Sequence, residues 1–338
     1  MLVTRQKVLR RFWYPVMPMR ELAPGPKAFT LLGQPIVLWR DANGKPAALI
    51  DRCCHRTAKL SIGFVADGAI ACGYHGWTYD RSGRCIRIPQ LKGDAPLPKY
   101  GVEAYRAEER YGYVWVCLGE PLAGIPEIPE AGQPGFRQID EFCEPWNCGA
   151  LRVMENSFDN AHFSYVHRAS FGDIQNPEPS EFTFTEYDWG FEAHSLVPVL
   201  NPDLQKKNLK VEGDRTMRDN LRTWWLPFCR KLRIKYPTGL HHVIITAATP
   251  IDDNHSQLIQ FAFRNDREED APAKDVIAFD RQVTNEDRMV LESTECDSPL
   301  NSASGEEFHM PSDRANLIMR KKLAKLLADH GETEQRRV

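Results

Sequence analysis

The sequence predicts an α+β chain, with a small all-β domain followed by a larger domain in which an antiparallel sheet packs against helices. Three observations carry this expectation. The first third is dense in short apolar runs separated by turn sequences, and residues 120–135 are rich in proline and glycine. A long series of strand-like runs between 181 and 265 is flanked on both sides by helical patterns. The expected domains are 8–120 and 137–338, joined by a linker at 121–136.

In chain order, "AFTLLGQPIVLWRDANGKPAALIDRC" holds two apolar runs around Asp41-Ala42-Asn43-Gly44, a turn sequence that predicts a hairpin. "AIACGYHGWTYDRSGRCIRIP" repeats the pattern around Asp80-Arg81-Ser82-Gly83, and "YGYVWVCLG" at 111–119 is a further strand. Helical signals cover 151–167. The runs "EFTFTEYDWGFEAHSLV", "RTWWLPFCRKLRIKY", "HHVIITAATPI" and "SQLIQFAFRN" read as strands. Charge and apolar spacing predict helices over 273–296 and 311–329.

Composition narrows the function classes. The 338 residues are 42% hydrophobic and 26% charged, with a net charge of −3, so bulk charge points to neither nucleic acid nor membrane. No apolar run approaches the roughly 18 residues of a spanning helix. The basic start "MLVTRQKVLRRFWYPV" lacks the apolar core of a signal peptide. Nine cysteines, odd in number and spread along the chain, predict a reducing, cytoplasmic compartment in which clustered thiols bind metal. With neither G-x-G-x-x-G nor a P-loop, the chain is expected to use NAD(P)H only indirectly, through a separate reductase.

Two constellations carry the chemistry. In the first, Cys53-x-His55 is followed by 16 residues and then Cys72-x2-His75. Each half offers one thiolate and one imidazole on a tight loop, and two cysteines on one iron with two histidines on the other describe a Rieske [2Fe–2S] cluster. A Cys2His2 zinc site is the competing reading, although its usual spacing differs. Gly73 and Gly76 let the backbone approach the ligands, Tyr74 and Trp77 are placed to shield them, and Cys54 is expected to pack rather than ligate. Cys85, Cys117, Cys143, Cys148, Cys229 and Cys296 read as buried small hydrophobes.

The second constellation is "ENSFDNAHFSYVH" at 155–167. His162 and His167 supply two legs of a 2-His-1-carboxylate site for a mononuclear Fe(II), which leaves positions open for O2. Five residues apart, they lie about 140° apart on a straight helix, so a distortion is expected at Ser164–Val166. Asp159 is a ligand, a second-layer partner or a helix acid on its spacing alone, and Asn156 is a possible supporting group. The third leg lies among Glu286, Asp287, Glu292, Glu295 and Asp297, with Glu286 and Glu295 read as solvated helix-face acids.

Taken together, "RFWYPV", "CCHR…CGYHGW", "RYGYVWV" and "EN-x2-D-x2-H-x4-H", in that order, resemble the oxygenase components of the Rieske-type non-haem iron oxygenases over essentially the whole chain. The nearest resemblance is to the N- and O-demethylase branch. Many relatives carry proline where this chain has Cys54. The resemblance implies a Rieske domain followed by a helix-grip catalytic domain, with Asp287 as the third iron ligand. It implies that Asp159 links His162 to His75 of the partner subunit in a head-to-tail homotrimer. It also implies a separate reductase or ferredoxin, O2 as co-substrate, and oxidative demethylation or hydroxylation of a small molecule. Arg56, Lys59, Arg81 and Arg84 form a basic set that could steer an acidic carrier, or are simply solvated. "TWWLPF" and "HHVIITAA" are the expected pocket walls, which suits a planar, largely apolar substrate. Ring dihydroxylation shares this machinery, and a non-catalytic zinc or redox binding protein is the reading from another class.

Overall fold

The structure, a computed structural model, describes residues 1–92 and 96–337. The chain forms two compact units, Lys7–Ile125 and a second made of Met1–Gln6 with Pro126–Val338. The boundary between Ile125 and Pro126 falls inside the proline-rich stretch. The first residues belong to the second unit: Leu2 N–H donates to Gln335 O at 2.8 Å, and Thr4 donates its N–H and hydroxyl to the Asp253 carboxylate.

The first unit is built from antiparallel sheets. A six-stranded sheet runs in the order Tyr14–Pro18, Tyr113–Cys117, Ala104–Arg110, Pro46–Ile50, Gln34–Arg40, Lys27–Leu31. A four-stranded sheet joins Phe64–Ala66, Ala69–Ala71, Thr78–Tyr79 and Cys85–Arg87. Both expected hairpins are present, and an aspartate organises each. Asp41 Oδ1 accepts from Asn43 N–H at 2.8 Å and Lys45 N–H at 3.0 Å, and Asp80 Oδ1 accepts from Ser82 N–H at 2.8 Å.

Gly83 in the second turn has φ +79°, and a Cβ there would lie 2.1 Å from the Val102 carbonyl oxygen. Gly83→Ala is therefore expected to destabilise the protein by about 1–3 kcal/mol, read as a lower urea midpoint at unchanged slope. The core under these hairpins contains Val37, Trp39, Leu49, Leu60, Ile70 and Tyr79, and Cys53 and Cys72 are part of it.

The second unit is a seven-stranded antiparallel sheet, in the order 137–146, 256–264, 241–250, 229–235, 215–225, 190–200, 183–187. Among the described residues five α-helices accompany it: α1 (Ala150–Ser157), α2 (Phe163–Val166), α3 (Asp203–Leu209), α4 (Ala273–Leu291) and α5 (Arg314–Asp329). Helix α4 touches both α1 and α2, and α1 and α4 rest on the sheet, a helix-grip arrangement. No helix of the described residues is long and apolar enough to cross a membrane.

Several elements depart from expectation for local reasons. Strand 137–146 is not legible as a strand because a bulge between Asp140 and Phe142 breaks its alternation and leaves Ile139 and Phe142 buried three residues apart. The segment 151–167 is not one helix. Phe158 ends α1 by packing edge-on against Phe191, and the chain turns before resuming at Phe163. Helix α4 stops at Leu291, five residues short of the expected end, where the Ser293 and Thr294 hydroxyls donate to the carbonyls of Val290 and Leu291.

Candidate metal centres

Two tight loops bring Cys53, His55, Cys72 and His75 together. Thr57 N–H donates back to Cys53 O at 3.0 Å, and Gly76 N–H to Cys72 O at 2.9 Å, so each loop folds onto its own cysteine. Gly76 takes φ +72° to do so. The His55 and His75 rings sit edge to face with centroids 4.6 Å apart, and Trp77 stacks flat on His55 at 4.5 Å. Cys53 and Cys72 are buried, and their thiols are close enough to interact. Both imidazoles are only partly buried, so the two sides of the site differ in exposure.

Around these loops, Trp77 covers one histidine, whereas Tyr74 lies against His75 but is largely exposed and shields little. Cys54 is exposed rather than packed, with Sγ 3.3 Å from the Tyr79 hydroxyl that also meets Cys53 at 3.1 Å. Of the six other cysteines, Cys85, Cys117, Cys148 and Cys229 are buried, while Cys143 and Cys296 are only partly so.

In the second unit, His162, His167 and Asp287 converge. The two Nε2 atoms are 3.2 Å apart, and Asp287 Oδ1 lies 3.5 Å from His162 Nε2 and 3.3 Å from His167 Nε2. The distortion expected at Ser164–Val166 is absent. That segment is a regular helical turn, and the histidines are its N-cap and C-cap. The interruption comes earlier, at 158–161, where Asp159 sits. Release of both ends from a longer helix lets the two rings swing to one point.

The carboxylates around this point set its chemistry. His167 Nδ1 meets Glu286 Oε2 at 2.8 Å, and His162 Nδ1 meets Asp159 Oδ2 at 3.3 Å. A carboxylate on each Nδ1 draws the ring proton there and leaves each Nε2 as a bare acceptor. Asp287 Oδ1 is buried with no hydrogen-bond partner. Three acceptors thus face one another with no donor between them, a set that a cation completes. A proton competes with a cation for this place. Burial lowers the His167 pKa, yet Asp287 and Glu286 lift it to about 9. Burial raises that of Asp287, yet the two imidazoles and the Asn156 amide hold it below the ordinary carboxylate range. Two nitrogens and one carboxylate oxygen match the donor set of an iron(II) site with open positions.

Helix α4 explains why Asp287, and not its neighbours, reaches this point. Its buried face runs through Val276, Phe279, Asp280, Thr284 and Leu291, and Asp287 lies two turns beyond Asp280 on the same stripe. Glu292 turns instead to Asn147 N–H, and Asp297 to the Met1 ammonium. The reading of Glu286 as a solvated acid is corrected. Its carboxylate holds both His167 and the Ser170 hydroxyl, the latter at 2.7 Å. Glu286→Gln is therefore expected to weaken iron binding at this site about 10- to 100-fold, measured as retained iron after graded chelation.

A cavity of about 950 Å³, counting its open mouth, lies between the sheet and α1, α2 and α4, and His162, His167 and Asp287 are in its lining. The expected walls are half right. His242, Ile244 and Thr246 line it, but no residue of "TWWLPF" does. Trp224 continues the alternation of its strand but packs against Phe191 instead. From that strand the lining takes Arg218, Asn220 and Arg222, so the cavity is far more polar than the sequence suggested. Arg222 also braces the metal-site turn: Nη2 donates to Asn160 Oδ1 at 3.0 Å and Nη1 to Ser195 Oγ at 3.1 Å.

Comparison with known proteins finds a family match in each unit. Residues 12–105 match the Rieske [2Fe-2S] domain, and residues 146–329 match the vanillate O-demethylase oxygenase C-terminal domain. The chain is 30% identical to the methylxanthine N1-demethylase NdmA of Pseudomonas putida, over 98% of this chain and 92% of that one. The structure of Pseudomonas putida CBB5 NdmA with caffeine superposes with a TM-score of 0.85 at 27% identity, covering 97% of this chain and 94% of that one. Dicamba monooxygenase bound to 3,6-dichlorosalicylic acid superposes with a TM-score of 0.83 at 25% identity, covering 96% and 98%.

Proposed function

We propose that this chain, which belongs to the Rieske oxygenases with a vanillate O-demethylase-type C-terminal domain, oxidatively removes a methyl group from nitrogen or oxygen of a small aromatic or heterocyclic substrate. The observation that carries the proposal is the meeting of His162 Nε2, His167 Nε2 and Asp287 Oδ1 within 3.5 Å of one another in the lining of a cavity. Cys53, His55, Cys72 and His75 would hold the [2Fe–2S] cluster, and His162, His167 and Asp287 a mononuclear iron. The chemistry these groups supply when bound is one-electron delivery at the cluster and activation of O2 at the iron.

The chain's own residues do the rest. Glu286 and Asp159 fix the tautomers of the two imidazoles, and Asn156 steadies Asp287. Phe163, Phe171 and Phe279 exclude water from part of the cavity. In the overall balance the methyl carbon leaves as formaldehyde, and the other oxygen atom becomes water with two protons. Two electrons come from a separate reductase, directly or through a ferredoxin. The exposed basic side chains Arg56, Lys59 and Arg84 suit an acidic electron carrier. Nine cysteines, none in a disulfide among the described residues, favour a reducing, cytoplasmic setting. We assign a head-to-tail homotrimer, in which Asp159 faces His75 of the partner subunit.

The test is formaldehyde release from methoxybenzoates and N-methylated heterocycles, with NADH and a surrogate reductase. A red-brown protein that releases formaldehyde in proportion to oxygen consumed supports the proposal. A colourless, zinc-loaded protein with no turnover overturns it.

A further inference from the structure

We propose that Glu141, His242 and Asp280 form a second metal site in the C-terminal unit, separate from the iron ligands, which takes one divalent cation of the Mn(II) or Zn(II) class. None of the three belongs to either centre described above, so the site does not depend on the oxygenase reading. They come from three different elements: Glu141 from strand 137–146, His242 from strand 241–250 and Asp280 from α4. One ligand atom from each lies within 4.8 Å of the other two.

The observation is a group of buried acceptors that no donor meets. His242 and Asp280 are more than nine-tenths buried. Glu141 Oε1, Asp280 Oδ2 and His242 Nε2 are shut off from solvent, and none has a hydrogen-bond partner among the described residues. His242 Nε2 lies 3.2 Å from Asp280 Oδ2, yet the two are not aligned as donor and acceptor. Atoms at that separation, side by side rather than head on, are placed as two ligands of one ion are. The iron ligands have the same signature: Asp287 Oδ1 is 3.3 Å from His167 Nε2 and also lacks a hydrogen-bond partner.

The surrounding chain supports these ligands. The bulge between Asp140 and Phe142 leaves Glu141 as the extra residue of its strand, outside the pairing register. A bulge of this kind re-aims a side chain. Asp280 lies on the buried stripe of α4. Gln260 Nε2 donates to Glu141 Oε2 at 2.6 Å, and the Thr246 hydroxyl donates to Gln260 Oε1 at 2.9 Å. One carboxylate oxygen of Glu141 is thereby fixed and the other is left for the site, as supporting hydrogen bonds do for metal ligands. One imidazole nitrogen and two carboxylate oxygens suit a first-row divalent cation rather than a soft ion.

A proton is the competitor. Burial raises the Asp280 pKa, yet His242 and Glu141 hold it below the ordinary carboxylate range, so one charge is in place. Burial, reinforced by Asp280, lifts Glu141 well above that range, so without a cation Glu141 keeps a proton. Two arginines also act on the pair through their charge, Arg230 on Glu141 and Arg264 on Asp280. Arg264 is itself held by Asp266 and the Asn208 carbonyl. A bound cation therefore expels the Glu141 proton, and affinity rises with pH.

The test titrates Mn(II) into the iron-loaded holoenzyme with its cluster oxidised. Binding is read as loss of the free Mn(II) paramagnetic resonance, and iron is measured before and after. One Mn(II) per chain should bind while the iron content stays unchanged. Glu141→Gln and Asp280→Asn should each weaken it about 10- to 100-fold. Glu141→Gln keeps the shape and neutrality of the protonated acid, so it decides the matter if Asp280→Asn does not fold. Asp287→Ala, which removes an iron ligand, should still bind Mn(II) at this site. Calorimetry in buffers of different ionisation enthalpy should show a proton released by the wild type and none by Glu141→Gln.

No Mn(II) uptake beside the iron, iron lost in step with uptake, or equal binding by wild type and Glu141→Gln would overturn the proposal and leave the three residues holding a proton only. Loss of the site in Asp287→Ala would do the same. Uptake that Glu141→Gln abolishes, in a protein that releases no formaldehyde from any methylated substrate, would leave the site standing and count against the oxygenase reading alone.

Discussion

Replacement of Asp287 by alanine is expected to reduce turnover by at least about 10³-fold while leaving the red-brown colour of the N-terminal unit intact. The carboxylate is the only negative ligand of the proposed set. Its Oδ1 lies 3.5 Å from His162 Nε2 and 3.3 Å from His167 Nε2 and has no hydrogen-bond partner. Without it, two neutral imidazoles remain, and affinity for a hard divalent cation falls steeply. The cluster cysteines and histidines lie in the other unit and should keep their iron. Asp287→Asn, which keeps the shape but not the charge, should lose mononuclear iron as well, so a folding defect and a ligand defect are separable. Glu292→Gln is the control. This acid is only five residues away but turns to Asn147 N–H and the Arg288 side chain. Iron content by mass spectrometry, read beside the visible spectrum, checks the assignment. Full iron in Asp287→Ala, or equal loss in Glu292→Gln, would remove Asp287 from the set.

The legibility of these residues in the sequence differed for physical reasons. Cys53, His55, Cys72 and His75 were legible because each pair sits on one short loop, so sequence neighbours remain spatial neighbours. His162 and His167 were legible for the same reason, although the helix expected between them was drawn with the wrong break. Asp287 was narrowed from five acids only by resemblance. In the fold it is selected by its place on the buried stripe of α4, two turns from Asp280. Glu286 was misread because its neighbour on the helix takes the inner face, and nothing local announces that the side chain bends to His167 and Ser170. The cavity wall was misread for a related reason. Alternation shows which residues of a strand share a face, but it does not show where along that face the helices leave a space. Trp224 and Arg222 share a face, yet only Arg222 meets the cavity.

Asp159→Asn is expected to keep both iron centres and still lower turnover by at least about 100-fold. The carboxylate is not among the three converging donors. Its Oδ1 accepts from Ala161 N–H at 2.6 Å, and its Oδ2 lies 3.3 Å from His162 Nδ1, on the far side of the ring from Asp287. An asparagine fits the same space and can still present an oxygen to the ring, so His162 keeps its orientation and the iron should stay. The negative charge is what disappears. In the proposed assembly that charge serves a second imidazole, His75 of the partner subunit, and a carboxylate shared by two ligand rings couples them in a way an amide does not. A head-to-tail contact that closes into a ring gives every subunit the same junction. It follows that chains lacking His75 and chains lacking His162 should complement one another when mixed and reassembled, because some junctions then join two intact halves. Activity measured in verified mixed trimers checks this. Iron loss in Asp159→Asn as deep as in His162→Ala would make Asp159 a ligand, whereas intact iron with no recovery in mixed trimers would confine its role to a single chain.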